Sequence, residues 1–178
     1  MQRGYLYKSS FKLPFLGAIY FFITSIYAQP ALPPRGVSVQ STQALHFGTF
    51  ALTGGGDGIL SVGTDGYRNA IQNVFLSELT PTAQPAIFEI KLCQGRNVTI
   101  NYDSTTPLIR IGGGTMTLNI GPAKREGINT TLQNGDTFSL QGNCNFITIL
   151  RVGGTLHIPS NSLPGIYTGS FEITFNQE

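Results

Sequence analysis

Two cysteines, Cys93 and Cys144, carry the most clearly defined chemistry in this chain of 178 residues. Each lies at or near the end of a segment with a strand pattern. A bond between them would close a loop of about 50 residues, worth roughly 4 kcal/mol in the loop-entropy model. The alternative is two separate buried thiols, which pack as small apolar side chains. The pair predicts a disulfide with a structural role, and the alternative stays open at this point.

Residue types used in catalysis are present, but they form no recognised motif. His46 and His157 are far apart, and each lies within a strand pattern. The sequence has no G-x-S-x-G or H-E-x-x-H motif, and no second cysteine pair or His-Cys cluster suited to zinc. A Ser-His-Asp arrangement assembled only in three dimensions is the alternative. We therefore predict that the protein is not an enzyme and has no catalytic, cofactor-binding or metal-binding residues.

Two glycine-rich runs, 54–58 and 112–114, are the segments most similar to ligand-binding loops. Neither has the spacing of a phosphate-binding loop, and neither opens a predicted helix. Both are predicted to be connections or bulges between strands. Since the chain lacks Trp, a sugar-binding surface would depend on Tyr67, Tyr102 or Tyr167, which more often pack against a sheet. A secreted domain that binds a glycan, a small molecule or a metal is thus the alternative function.

The first 28 residues have the order of a secretory signal peptide. Arg3, Lys8 and Lys12 precede a mostly apolar run over 13–23, and Ala28 is the expected cleavage position. The apolar stretch is shorter than the roughly 20 residues of a spanning helix, and no later segment is long enough either. We therefore expect an exported protein, in the periplasm, at the cell surface or outside the cell, with no integral membrane span after cleavage. Residues 29–36 form a proline-rich leader.

Cleavage of that signal also changes the charge balance. It removes three of the 11 Lys and Arg and none of the nine Asp and Glu, leaving eight basic residues against nine acidic ones. The remaining basic residues are scattered, and only Lys124 and Arg125 are adjacent. A phosphate-binding stripe needs clustered cations, so no nucleic-acid partner is expected.

The elements that must position these residues are predicted to be strands. Only 11% of residues are charged, and 22 Gly and 10 Pro oppose helix formation. Short runs with period-two alternation recur from residue 37 onward, which predicts an all-β, antiparallel β-sandwich of about 8–10 strands in one domain, 37–178. In 67–79 the apolar spacing also fits a helix, and a strand is favoured. Asn134-Gly135 is predicted to be the turn of a β-hairpin.

The last predicted strand, within 165–175, has the clearest alternation. Tyr167, Phe171, Ile173 and Phe175 form one face, which is predicted to pack in the core. The strand is expected to complete its own sheet. The alternative is a strand donated to a neighbouring subunit.

Several motifs together resemble one family of exported bacterial proteins, domain of unknown function 4402. They are Leu45-His46-Phe47-Gly48-Thr49-Phe50, Gly66-Tyr67-Arg68, Pro85-Ala86-Ile87-Phe88, 113–118, 152–158 and 164–171. The resemblance covers roughly residues 37–175 and implies no activity, ligand or catalytic residue. More distantly, the closing pattern resembles fimbrial subunits and spore-coat-like secreted proteins, which implies an immunoglobulin-like sandwich.

That more distant resemblance implies a structural or adhesive cell-surface subunit. Its partners would be copies of itself or other surface subunits, bound through sheet edges. The chain departs from the fimbrial pattern after Phe175, where Asn176, Gln177 and Glu178 follow, and in its short proline-rich leader. Strand donation needs a longer apolar extension.

Overall fold

Alternating apolar residues and frequent glycines give this chain strands and turns. A computed structural model describes residues 36–93 and 97–177, which contain no helix and belong to one compact unit. The predicted signal peptide, 1–28, and leader residues 29–35 lie outside the described residues. Within the described part, the all-β antiparallel sandwich expected from the sequence is confirmed, although it is divided into fourteen strands, several of them very short.

The strands follow one another along the whole described chain. In chain order they are β1 (Val37–Gln43), β2 (Phe50–Leu52), β3 (Gly58–Val62), β4 (Arg68–Gln72), β5 (Val74–Leu76), β6 (Ala86–Leu92), β7 (Asn97–Tyr102), β8 (Thr105–Arg110), β9 (Thr115–Arg125), β10 (Thr131–Leu132), β11 (Thr137–Ser139), β12 (Thr148–Ile158), β13 (Tyr167–Thr168) and β14 (Ile173–Gln177).

Three sheets result, and every ladder between named strands is antiparallel. The large sheet has the order β1-β6-β12-β9-β8-β13, with β3 paired to β12, β4 paired to β3, and β10 paired to β9. The second sheet has the order β11-β7-β14, and β2 and β5 form a two-stranded sheet. One apolar core joins the large sheet to β11-β7-β14 and includes the fully buried Ile90, Ile100 and Leu150.

The large sheet branches at glycines in its two longest strands. Residues 148–152 of β12 pair with β6, whereas residues 154–158 pair with β3. A Cβ at Gly153, between these two halves, would collide with the backbone carbonyl of Val62 in β3. On β9, Gly121 lies at the matching irregularity with φ 102°. Glycine at both places lets one strand serve two partners, which extends the sheet in two directions.

The segment 67–79 is extended, as predicted, and it contains β4 and β5. Asn73 lies between them with φ 49°, a left-handed conformation that Asn tolerates. Its side-chain Nδ2 donates to the carbonyl of Asp57, 3.1 Å away. The near-helical apolar spacing is thus produced by two short strands that are joined by a kink.

The hairpin predicted at Asn134-Gly135 is wrong. Gly135 does have positive φ, 87°, but β10 before the turn pairs with β9 and β11 after it pairs with β7. The Asn134 side-chain oxygen accepts a hydrogen bond from the backbone N–H of Tyr102 at 2.9 Å. The turn is therefore held against β7 and carries the chain from one sheet to the other.

The single strand predicted over 167–175 is also not observed. β13 pairs with β8 of the large sheet, whereas β14 pairs with β7 of the three-stranded sheet. Gly169 lies between them, so close to β8 that a Cβ there would be 2.6 Å from the carbonyl oxygen of Pro107. The segment crosses from one layer to the other, and both of its strands pair within this same chain.

Candidate functional site

The residues singled out from the sequence form parts of the architecture. Cys93 and Cys144 are joined in a disulfide, with Cα atoms 4.2 Å apart and a sequence separation of 51. Leu92 forms a parallel bridge with Gly142 beside it. The bond thus ties the end of β6 to the segment before β12, which pairs with β6.

The C-terminal face keeps its alternation across the break in the strand. Phe175 is buried, and Tyr167, Phe171 and Ile173 are half-buried against the core. The rings of Phe171 and Phe175 each lie 6.4 Å from that of Phe88. These four residues therefore contribute to the sandwich interior.

The two histidines have different partners. Nδ1 of His46 accepts a hydrogen bond from the backbone N–H of Gly48 at 2.8 Å, and Nε2 of His157 lies 3.1 Å from Nδ2 of Asn119. Within residues 36–93 and 97–177, no group of three or more His, Cys, Asp or Glu could hold a metal ion. The same residues contain no helix that is both long and apolar enough to cross a membrane.

Both glycine-rich runs connect strands. Gly54, Gly55 and Gly56 all have positive φ and lead from β2 toward β3, and Gly112, Gly113 and Gly114 do the same between β8 and β9. Of the three tyrosines considered for sugar binding, Tyr102 is buried and Tyr167 is half-buried, whereas Tyr67 is 74% exposed.

The pKa of Tyr102 is raised above its ordinary value of 10.0, mainly because burial penalises the charged phenolate. A hydrogen bond with the backbone of Asn134 acts in the opposite direction, and the Asp136 carboxylate raises the pKa further. The phenol therefore stays protonated at neutral pH, as a core residue of β7.

Arg68 connects three separate segments. Its chemistry did not single it out in the sequence. Its Nη1 donates to the carbonyl of Thr49 at 3.1 Å, and its Nη2 donates to the carbonyl of Ser77 at 2.9 Å. Only 14% of its side chain is exposed, and its ion pair with Glu78 is 3.9 Å long. We call this arrangement the Arg68 clamp. It fixes β4 to the residues that flank β2 and β5.

Two of the sequence motifs meet at this clamp. Gly48 has φ 75°, and a Cβ there would lie 2.8 Å from Nη1 of Arg68 and 3.2 Å from the backbone nitrogen of Ala83. The preceding residue, Phe47, is buried in the core. In the spacing L-x-F-G-T-F, a buried phenylalanine is thus followed by a glycine that approaches the guanidinium and by the carbonyl that accepts a hydrogen bond from it.

The clamp supports an exposed apolar surface on β4, β5 and the residues beside them. Tyr67, Ile71, Phe75 and Leu79 are 74%, 54%, 62% and 69% exposed. We call these four residues the edge surface. Large exposed apolar side chains are typical of interaction sites where they form a contiguous patch.

The strands under this surface lie at sheet edges. Within the part of the chain that the structure describes, β4 pairs only with β3, and β5 pairs only with β2. From Asn69 to Ser77 the sequence has no charged residue, and the guanidinium of Arg68 is directed to backbone carbonyls. Charged residues and proline are the usual protection of an edge strand against pairing with another chain, and residues 69–77 contain neither.

Comparison with known proteins assigns the chain to one family. A search of curated proteins and of solved structures finds no match. The model of a family described as domain of unknown function, DUF4402, matches residues 37–176, which include every strand except the last residue of β14. The chain belongs to the DUF4402 family.

Proposed function

We propose that this protein is an exported, non-catalytic structural or adhesive subunit, fimbrial-like in its role, that associates through the edge surface. The observation that carries the proposal is the combination of four exposed large apolar side chains with two edge strands whose residues from Asn69 to Leu76 are uncharged. The partner is a second copy of this chain or another surface subunit.

Exposure of an unpaired strand edge with apolar side chains to water is unfavourable in free energy. Unpaired strand edges present N–H and C=O groups that pair readily with another strand, and apolar side chains beside them favour association. The Arg68 clamp preorders β4 and β5, so less conformational freedom is lost when a partner binds. Self-association by edge pairing also leaves the core of each subunit complete, since β14 already pairs with β7 in its own chain.

Export is the second part of the proposal. It is supported by the order of charged, apolar and small residues in 1–28. Mass spectrometry of the exported product should find an N-terminus at or close to Gln29. A product that keeps Met1 and sediments with membranes would contradict it.

Lysine substitutions in the edge surface test whether the protein associates through it. The double variant Ile71→Lys, Phe75→Lys should convert assemblies of the exported protein to monomers in light scattering coupled to size exclusion. Its melting temperature should stay within a few degrees of the wild type, because both side chains are more than half exposed. The matched control is Ile111→Lys, Ile166→Lys, since these side chains are 96% and 82% exposed outside the edge surface.

The controls decide between specific and general apolar association. We expect the control variant to assemble like the wild type. Equal loss of assembly in both variants would show that any exposed apolar residue suffices. A wild-type protein that remains monomeric after export, across the concentrations of the assay, would refute the proposed function.

A further inference from the structure

A groove beside the β3–β4 turn collects charged residues that are far apart in sequence. It has a volume of about 470 Å³, is open to solvent, and lies between the β3–β4 turn and the turn after β9. Its charged lining residues are Asp65, Lys124, Arg125, Glu126 and Arg151. Strand pairing thus brings together basic residues that seemed scattered in the sequence.

The floor of the groove contains two like charges in direct opposition. Lys124 of β9 and Arg151 of β12 are paired residues of one antiparallel ladder. Like charges directly opposite each other on neighbouring strands destabilise a sheet. Arg151 is paired with Glu126 at 3.7 Å, whereas Lys124 makes no ion pair or side-chain hydrogen bond with any described residue. An anion bound between the two cations would relieve this repulsion.

Backbone contacts hold the two turns that form the walls. In the first, the N–H of Gly63 donates to the carbonyl of Tyr67 at 2.9 Å, and Oδ1 of Asp65 accepts from the N–H of Tyr67 at 3.0 Å. In the second, the N–H of Glu126 donates to the carbonyl of Ile149 at 2.9 Å. Arg125 donates to the carbonyl of Ser139. The walls are therefore formed before any ligand binds.

The mixture of groups restricts the ligand class. Three cations stand beside two carboxylates, Asp65 and Glu126, together with the hydroxyl of Thr64 and the amide of Asn129. A densely charged phosphate polymer would be repelled by the carboxylates. A ligand with sparse negative charge and many hydroxyls would bind to both the cations and the carboxylates of the groove. The cations bind its acidic groups, and the carboxylates accept hydrogen bonds from its hydroxyls.

We propose that this groove binds an acidic saccharide through Lys124 and Arg151. The groove shares no lining residue with the edge surface, although its Asp65 contacts the backbone of Tyr67. A ligand that binds only the folded protein stabilises it by RT ln(1 + L/Kd), where L is the free ligand concentration, so the melting temperature reports binding.

The experiment measures binding of trigalacturonate to the exported protein by calorimetry and by melting-temperature shift at fixed ionic strength. Maltotriose is the neutral saccharide of the same length, and sodium sulfate is the bare anion. Trigalacturonate should bind and raise the melting temperature, and neither comparison compound should do so to the same extent. Binding of maltotriose with equal affinity, or of none of the three, would overturn the proposal. A sulfate effect equal to that of trigalacturonate would indicate an adventitious ion only and would overturn it as well.

Lys124→Gln separates a binding residue from a structural one. This variant should bind trigalacturonate about five- to tenfold more weakly, as expected for the loss of one charged contact. In the absence of ligand it should raise the melting temperature by about 1–3 °C, because the like-charge pair is removed. The control Lys91→Gln, at an exposed position of β6 outside the groove, should change neither quantity. A lower melting temperature for Lys124→Gln, with binding unchanged, would refute the role of Lys124.

Discussion

The variant Arg68→Ala, which lacks the guanidinium, should destabilise the domain more than the removal of one polar side chain usually does. The guanidinium donates to the carbonyls of Thr49 and Ser77, which lie 19 and nine residues away in sequence. The side chain is only 14% exposed, so water has limited access to replace both contacts. Without the clamp, the residues that flank β2 and β5 lose their side-chain hydrogen bonds with β4.

The expected magnitude follows from these two hydrogen bonds. A hydrogen bond to a charged group contributes about 1.5–3 kcal/mol, and partial solvation reduces the sum for the pair to about 2–4 kcal/mol. The ion pair with Glu78 adds little, because the carboxylate is 99% exposed. A loss of this size lowers the melting temperature of a domain of about 150 residues by roughly 6–12 °C.

Thermal and urea unfolding followed by circular dichroism measures this loss. The matched control is Arg110→Ala, because Arg110 also donates to backbone carbonyls, at Gly112 and Gly113, but within its own turn. The control should lose less than about 1 kcal/mol. Arg68→Lys should be intermediate, since an ammonium lacks the planar fork that reaches both carbonyls. Equal losses for Arg68→Ala and Arg110→Ala would refute the clamp.

Other parts of the fold make separate predictions. Gly153→Ala should cost about 1–3 kcal/mol in chemical denaturation, because a Cβ there meets the Val62 carbonyl, whereas Gly36→Ala in open space should be nearly neutral. Because the folded state holds the Tyr102 proton more tightly than the unfolded chain, stability is retained below pH 10 and lost as pH rises above it. Tyr102→Phe should reduce this alkaline loss in melting curves recorded from pH 8 to 11; an unchanged loss would contradict it. Phe175→Asp should prevent folding, since it buries a carboxylate in the core, and a soluble cooperative product would refute the self-contained C-terminal strand.

Local alternation predicted most of the strands well. In Val98–Tyr102 the apolar positions Val98, Ile100 and Tyr102 are those that the structure buries, because a sheet with one buried face imposes period two on its sequence. In β6 the match is partial, since Ile90 and Leu92 are buried but Ile87 and Phe88 are half-buried. The disulfide was predictable because the chain has two cysteines, which allow one pairing. The family motifs also identified segments that meet in space, without indicating what they do there.

Changes of partner along a strand were not predictable from the sequence. The segments 146–150 and 155–158 look like two strands because Gly153 and Gly154 separate them, yet 148–158 is one strand with two partners on one side. The turn at Asn134-Gly135 has hairpin chemistry, which describes φ but not which sheet receives the next strand. These outcomes are decided by packing between layers, which local patterns do not contain.

The sites were harder to predict than the fold. Arg68 was visible only as part of a motif, because its hydrogen bonds are to backbone carbonyls and leave no partner residue type in the sequence. The apolar spacing of Ile71, Phe75 and Leu79 was a signal, but exposed and buried apolar residues look the same in a sequence. The basic groove depends on the register between β9 and β12, which the scattered positions of Lys124 and Arg151 do not reveal.

Hydrogen exchange of the assembled protein, followed by mass spectrometry, tests the central claim most directly, which is that association occurs through the edge surface. The reference is the Ile71→Lys, Phe75→Lys variant, which is expected to be monomeric. Backbone amides in 68–77 should exchange at least about tenfold more slowly in the assembly, because edge pairing protects them, while amides in 109–114 exchange equally in both. Unchanged exchange in 68–77, or protection confined to 109–114, would contradict the account.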